Sequence, residues 1–251
     1  MALYDGIADR YDATRGGERR GEDFAEQLHH RLPVGEGPIL EIGVGTGVVA
    51  LALKRRGRPV LGLDVSAAML GRAVGRLGPV VIQGDGCQLP VKRESVAHAV
   101  SVWVLQHIDP PHVLLSEVAR VLRPGGRYLV CPTNRIPEDD PIEPILVELL
   151  RQIEQRDPTR RRREVGAAQI SRWGQECGFT AEVATFTSRE WRTTPEEQIQ
   201  AIRDRAYPAL VGLDDATFQA ASGPAIEALR ALGADPITRY AELDVVTLRR
   251  P

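Results

Sequence analysis

A chain of 251 residues, 43% hydrophobic and 26% charged, has the size and balance of one α/β domain with at most a small appendage, which excludes an array of three ordinary domains. Thirty-two basic against thirty-four acidic side chains leave a net charge of −2, so the chain lacks the basic excess of a non-specific nucleic-acid binder. No apolar run approaches the roughly 18 residues of a membrane span, Met1–Gly6 lacks the basic and apolar regions of a signal peptide, and Cys87, Cys131 and Cys177 form neither a disulfide framework nor a zinc spacing, so a reducing, cytoplasmic setting is expected.

Residues 1–36 read as polar helix: Tyr4 to Tyr11, a break at Gly16-Gly17, then Asp23 to Leu32, with a Gly- and Pro-rich loop from Pro33 to Pro38. An alternation follows. Ile39–Ile42 predicts a buried strand, Val48–Arg56 a helix with Gly57 past its end, and Pro59–Asp64 a second strand. Ser66 is placed to cap a helix running to about Leu77, and Pro79–Gln83 is a third strand. Val96–Leu105 reads as a fourth strand, Pro111–Leu122 as a helix, and Arg127–Cys131 as a fifth strand. Strands and helices alternating at this spacing imply right-handed crossovers and a parallel sheet covered on both faces.

Further on, apolar spacing predicts helices over Pro141–Arg156, Ser171–Cys177, Pro195–Tyr207 (with Thr194 as cap) and Thr217–Leu232. Phe179–Arg192 and Ile237–Leu248 read as extended. The arginine run Arg156–Arg163 is expected to be a solvated helix end balanced by Glu138, Asp139 and Asp140.

The segment Glu41-Ile42-Gly43-Val44-Gly45-Thr46-Gly47 lies between the first strand and its helix. Glycines there permit tight turning and close approach of a ligand to the backbone, but the spacing is GxGxG and not the GxGxxG of a dinucleotide site. Asp64 ends the second strand, where a carboxylate can accept from a ribose diol, and Asp85 follows the third within Gly84-Asp85-Gly86.

These segments together resemble the class I S-adenosylmethionine-dependent methyltransferases, in particular the small-molecule group often labelled methyltransferase type 11. The resemblance rests on Ile39–Val49 (ILEIGVGTGVV), Val60–Leu70 (VLGLDVSAAML), Gln83–Pro90 (QGDGCQLP), Ser101–Ile108 (SVWVLQHI) and Leu122–Tyr128 (LRPGGRY), spanning about residues 39–132. Tyr4–Asp12 (YDGIADRYD) also looks like the amino-terminal helix of that group. The resemblance implies a Rossmann-like fold: a seven-stranded, mostly parallel sheet with helices on both faces and an antiparallel last strand. It also implies an amino-terminal helical cap (1–36) and a methyltransferase domain (37–251) with helical lid insertions at about 133–170 and 190–235.

The resemblance assigns roles toward S-adenosylmethionine and its product S-adenosylhomocysteine. Gly43, Gly45, Thr46 and Gly47 would pass the methionine part, and Glu41 would reach its amine. Asp64, with Val65 beside it, would take the ribose hydroxyls, and Met69 could pack near the adenine. Asp85, Gly86 and Cys87 would meet the adenine amino group, and the main chain of Ser101 and Val102 the methionine amine. Tyr11 and Arg15 would close over the carboxylate.

Methyl transfer is an in-line displacement that placement alone can accelerate. An oxygen or nitrogen acceptor must also lose a proton, for which His107 is the candidate catalytic base, a structural role for it standing as the alternative. No acidic set has a metal-site spacing, so no metal is expected. Trp173, Trp191, Tyr207 and Phe218 offer aromatic surface for an apolar acceptor. The expected partner is a small-molecule acceptor, with no nucleic acid or membrane, for a monomer or homodimer. RNA or protein methylation, and a non-catalytic cofactor-binding module, are the alternatives.

Overall fold

The run Ile39–Ile42 forms strand β1, buried at all four positions, third in a seven-stranded sheet. This computed structural model describes residues 8, 11–12, 16–33, 37–132, 135–160 and 165–251. Val60–Asp64 (β2), Val81–Gln83 (β3), Val96–Val102 (β4), Leu122–Cys131 (β5), Thr180–Thr193 (β6) and Ile237–Arg249 (β7) complete the sheet, in the order β3-β2-β1-β4-β5-β7-β6. β1 is parallel to β2 on one side and β4 on the other, with Glu41 opposite both Gly62 and Val100. β2–β3 and β4–β5 are also parallel, and β7 is antiparallel to β5, as expected of the fold. The strand order reverses between β1 and β4, where parallel sheets open a ligand crevice at their carboxyl ends.

The helices are Gly17–Arg31 (α1), Val48–Arg55 (α2), Ala67–Leu77 (α3), Pro111–Val121 (α4), Glu143–Arg156 (α5), Ala167–Glu176 (α6), Pro195–Arg203 (α7) and Asp215–Ala231 (α8). Alternation along the strands sorts the core into two layers. Ile39, Val100 and Leu129 pack with Phe24, Leu28, Val49 and Leu53 of α1 and α2. Their neighbours Leu40, Ala99, Tyr128 and Val130 pack with Leu114, Val118, Ile170 and Trp173 of α4 and α6. Ser66 and Thr194 cap α3 and α7 as expected, Thr194 in a full capping box with Glu197.

The chain divides into two compact units, residues 1–133, 164–186 and 243–251, and residues 134–163 and 187–242. The second has its own core, in which Ile142, Leu149 and Ile153 of the α5 region meet Ile199, Ile202, Phe218 and Leu229 of α7 and α8. No helix among the described residues is long and apolar enough to cross a membrane.

Several expectations need correction. β4 ends at Val102 and not Leu105, because Trp103 turns out of the strand with a left-handed φ of 60° while its N–H still reaches the Cys131 carbonyl at 2.9 Å. A short 3-10 turn, Leu105–His107, follows. β5 starts at Leu122, paired with Val96, and not at Arg127, the Pro-Gly-Gly stretch being taken up by a register irregularity. α7 stops at Arg203, short of Tyr207, since Arg205 takes a φ of 52° and its guanidinium pairs with Asp215 at 2.6 Å. α6 begins at Ala167 and α1 at Gly17, earlier than read.

Asp140 is not a surface counter-charge for the arginine run. Its carboxylate is buried, accepts the Ile142 and Glu143 amides, and pairs with Nε of the buried Arg239 at 2.7 Å. Trp173 and Phe218 are core residues of the sheet layer and the helical unit. Arg161–Arg163 lie outside the described residues.

Candidate functional site

The turn after β1 is held from its second strand neighbour. Gly43 and Val44 donate their amides to the Leu63 carbonyl at 2.7 and 2.9 Å, and the Gly45 N–H reaches Oδ2 of Asp64 at 2.8 Å. The other carboxylate oxygen, Oδ1, takes the Ser66 N–H at 2.9 Å. Both Gly43 (φ 72°) and Gly45 (φ 54°) are in the left-handed region, which glycine enters at little cost. Their surroundings differ. A Cβ on Gly43 would strike Val104 Cγ2 at 2.3 Å, whereas a Cβ on Gly45 would meet nothing within 4 Å, so the backbone at Gly45 borders open space.

Glu41, at the third position of β1, is only 2% exposed, and its Oε2 has no hydrogen-bond partner among the described residues. Burial pushes its carboxyl up to about 8, and the nearby Asp64 charge adds to this, while Arg20 and the Ala50 amide oppose it. Arg20, on α1, is itself 7% exposed, with Nε and Nη1 unpartnered among the described residues. Its guanidinium carbon lies 5.1 Å from the Tyr11 ring centroid and 5.0 Å from that of Trp103. Trp103 in turn meets Phe24 edge-on at 5.4 Å, and its own Nε1 is buried without a partner among the described residues. A carboxylate and a guanidinium, both buried and both with unused hydrogen-bonding atoms, are costly unless something polar completes them.

Of the remaining expected residues, Thr46 is buried and its hydroxyl donates to Asp12 Oδ1 at 2.6 Å. Gly47 precedes α2 in a left-handed conformation. Val65 is exposed beside Asp64, and Met69 is buried within α3, its N–H on Ser66 Oγ. Asp85 caps a 3-10 turn over Gly86–Gln88, accepting the Cys87 N–H at 2.8 Å; Gly86 is buried, and burial followed by the Asp85 charge pushes the Cys87 thiol up. The Ser101 hydroxyl is occupied by Tyr128 Oη at 2.8 Å, and Ser101 and half-buried Val102 end β4 opposite Val130 and Cys131 of β5. His107 is exposed on the turn after β4. Arg15 lies outside the described residues. Among the described residues no group of three His, Cys, Asp or Glu is placed to hold a metal.

The site therefore brings Glu41, Gly45, Asp64 and Tyr11 together at the carboxyl ends of β1 and β2. Arg20 and Trp103 belong to it and were not singled out from the sequence. One signal for Arg20 was available: with Phe24 and Leu28 it falls at i, i+4, i+8, a charged residue on the apolar stripe of α1.

Residues 40–130 match the family model of the methyltransferase domain. The matched segment runs from β1 into β5 and contributes Glu41, Gly45, Asp64 and Trp103 to the site, whereas Tyr11 and Arg20 precede it. Over 143 residues the chain is 34% identical to a demethylmenaquinone methyltransferase of Mycolicibacterium paratuberculosis, covering 54% of this chain and 61% of that protein. The chain thus spans about three-fifths of the curated relatives it matches. Among solved structures, the [4+2]-cyclase SpnF aligns with a TM-score of 0.65 at 19% identity over 99% of this chain and 94% of that one. A Haemonchus contortus phosphoethanolamine N-methyltransferase 2 in complex with S-adenosyl-L-methionine aligns with a TM-score of 0.59 at 19% identity, over 98% of this chain and 57% of that one. At such identity the likeness fixes the fold alone, and one fold here carries a cyclase and a methyltransferase.

Proposed function

We propose that this chain binds S-adenosylmethionine and transfers its methyl group to a small-molecule acceptor. The observation that carries the reading is the buried pair Arg20 and Glu41, whose unpartnered atoms sit in one site with the Asp64 carboxylate. A buried guanidinium beside a carboxyl that can ionise, both with unpartnered atoms, suits a zwitterionic amino acid, and a carboxylate at the end of β2 suits a ribose diol. A nucleoside joined to an amino acid satisfies both.

When bound, S-adenosylmethionine supplies a methyl group activated by its sulfonium. The residues of the chain hold and orient. Arg20 takes the carboxylate, Glu41 the ammonium, and the Asp64 carboxylate the ribose hydroxyls. Gly45 leaves room for the chain joining them. Fixing donor and acceptor in this way can supply roughly 7–11 kcal/mol of the barrier.

The mycobacterial relatives named for demethylmenaquinone support an aromatic or quinone-type acceptor. The helical unit, residues 134–163 and 187–242, is assigned acceptor selectivity, and His107 the role of general base where the acceptor carries a proton. The test is transfer of a labelled methyl from S-adenosylmethionine to a panel of quinols, phenols and amines. Transfer to a quinol or phenol, reduced in kcat but not in donor affinity by His107→Ala, supports the reading. Tight donor binding with no transfer to any class would leave a binding module in its place.

A further inference from the structure

Asp12 closes a three-membered clasp. Its Oδ1 accepts the Thr46 hydroxyl at 2.6 Å, its Oδ2 accepts Nη2 of Arg76 at 2.6 Å, and Nη1 of Arg76 donates to the Thr46 carbonyl at 2.8 Å. Three segments far apart in sequence meet there: the chain at Asp12, the glycine loop at Thr46, and α3 at Arg76. An isolated ion pair at this exposure, 25% for each side chain, would contribute little. Here both carboxylate oxygens are used, and one donor of the clasp, Thr46, is buried.

The neighbours of the clasp are the two halves of the candidate site. One residue before Asp12, the Tyr11 ring covers Arg20. One residue before Thr46, Gly45 is bonded to Asp64. The geometry points to Asp12 and Arg76 as positioning residues that clamp the amino-terminal segment onto the glycine loop, so that the amino-acid end of the donor is gripped only when the clasp is closed. This rests on the donor assignment above. Neither side chain is assigned a contact with the donor. They act through Tyr11 and Arg20, and by linkage a ligand that engages Arg20 stabilises the clasp as much as the clasp stabilises the ligand.

The test is calorimetric titration of the intact chain and of Asp12→Asn, Arg76→Gln and the double variant with two ligands. S-adenosylhomocysteine has the amino-acid end; 5′-methylthioadenosine has the same nucleoside without it. The expected result is an affinity for S-adenosylhomocysteine lowered about tenfold in each single variant. The double variant should be no weaker than the singles, since both break one unit. The methylthioadenosine affinity should change less than about twofold. Equal losses for both ligands would mean general damage to the loop and overturn the inference, as would no loss for either, or additive losses. Should Asp12→Asn fail to fold, Arg76→Gln makes the same comparison alone. If the unmodified chain binds neither ligand, the donor assignment itself falls, an outcome distinct from all of these.

Discussion

The Gly45 amide donates to the Asp64 carboxylate at 2.8 Å, so two residues that the sequence presents as separate ligand contacts form one structural unit. Asp64 uses its other oxygen on the Ser66 amide. An amide side chain cannot replace it, because one of its two ends is a donor that would face a backbone N–H. Asp64→Asn is therefore expected to behave like Asp64→Ala, each lowering S-adenosylhomocysteine affinity by at least about tenfold, or roughly 1.4 kcal/mol. An Asn variant with native affinity, measured by titration, would contradict the account of the loop.

Gly43 and Gly45 share a backbone conformation but should respond differently to a methyl group. Gly43→Ala adds a collision with Val104 to the left-handed strain, for a combined cost of about 2–4 kcal/mol visible as a lower Tm. Gly45→Ala meets no atom, so its cost is the strain alone, about 1 kcal/mol, while the methyl enters the space a ligand chain would cross. The expected pattern is a Tm within a few degrees of the parent with ligand binding lost. Thermal unfolding with and without S-adenosylhomocysteine checks both.

Glu41 is placed against stability. Its folded carboxyl is raised to about 8 from an ordinary value near 4.5, with burial the main cause. A raised carboxyl contributes stability below its unfolded value and loses it as pH climbs through the folded one. Glu41→Gln should thus unfold at a higher temperature than the parent, with the gap widening between about pH 5 and pH 8, and should lose ligand binding. In the parent, S-adenosylhomocysteine affinity should rise with pH over the same window, since the ammonium pairs with the ionised form. A gap that narrows toward pH 8 would contradict this placement of the charge.

Much of this was legible in the sequence because it follows from local patterns. Ile39–Ile42 and the glycines after it name a strand and a ligand-facing turn, and Ser66 and Thr194 name their helices by capping chemistry. What escaped depends on partners distant in the chain. Arg20 reads as a polar residue of a polar helix until Trp103 and Glu41 are brought to it. Asp140 reads as a surface acid until Arg239, 99 residues on, buries with it. Trp103 escaped for another reason: β-propensity continues through it, and the left-handed backbone that ends β4 has no signature in a tryptophan.

Arg58 anchors the carboxyl end of α1, donating to the carbonyls of His29, Leu32 and Pro33 and to Nδ1 of His29. Burial, then the Arg58 charge, holds His29 below the usual histidine range near 6.5. A depressed histidine weakens the fold as pH falls below its unfolded value, because the unfolded chain binds the proton more readily. Arg58→Met should cost about 2–4 kcal/mol by orphaning the helix-end carbonyls, a Tm drop of about 5–15 °C. It should also flatten the loss of stability between about pH 6.5 and pH 5. A pH profile unchanged from the parent would assign that loss to other groups.

The most direct measurement is the binding of S-adenosylhomocysteine to the unmodified chain and to Arg20→Gln by titration calorimetry. The account predicts saturable binding at one site and a loss of at least about tenfold in Arg20→Gln, since the proposal gives the ligand carboxylate to this buried guanidinium. Equal affinity in the two proteins would contradict the assignment of Arg20, and no binding by the unmodified chain would contradict the donor site as a whole.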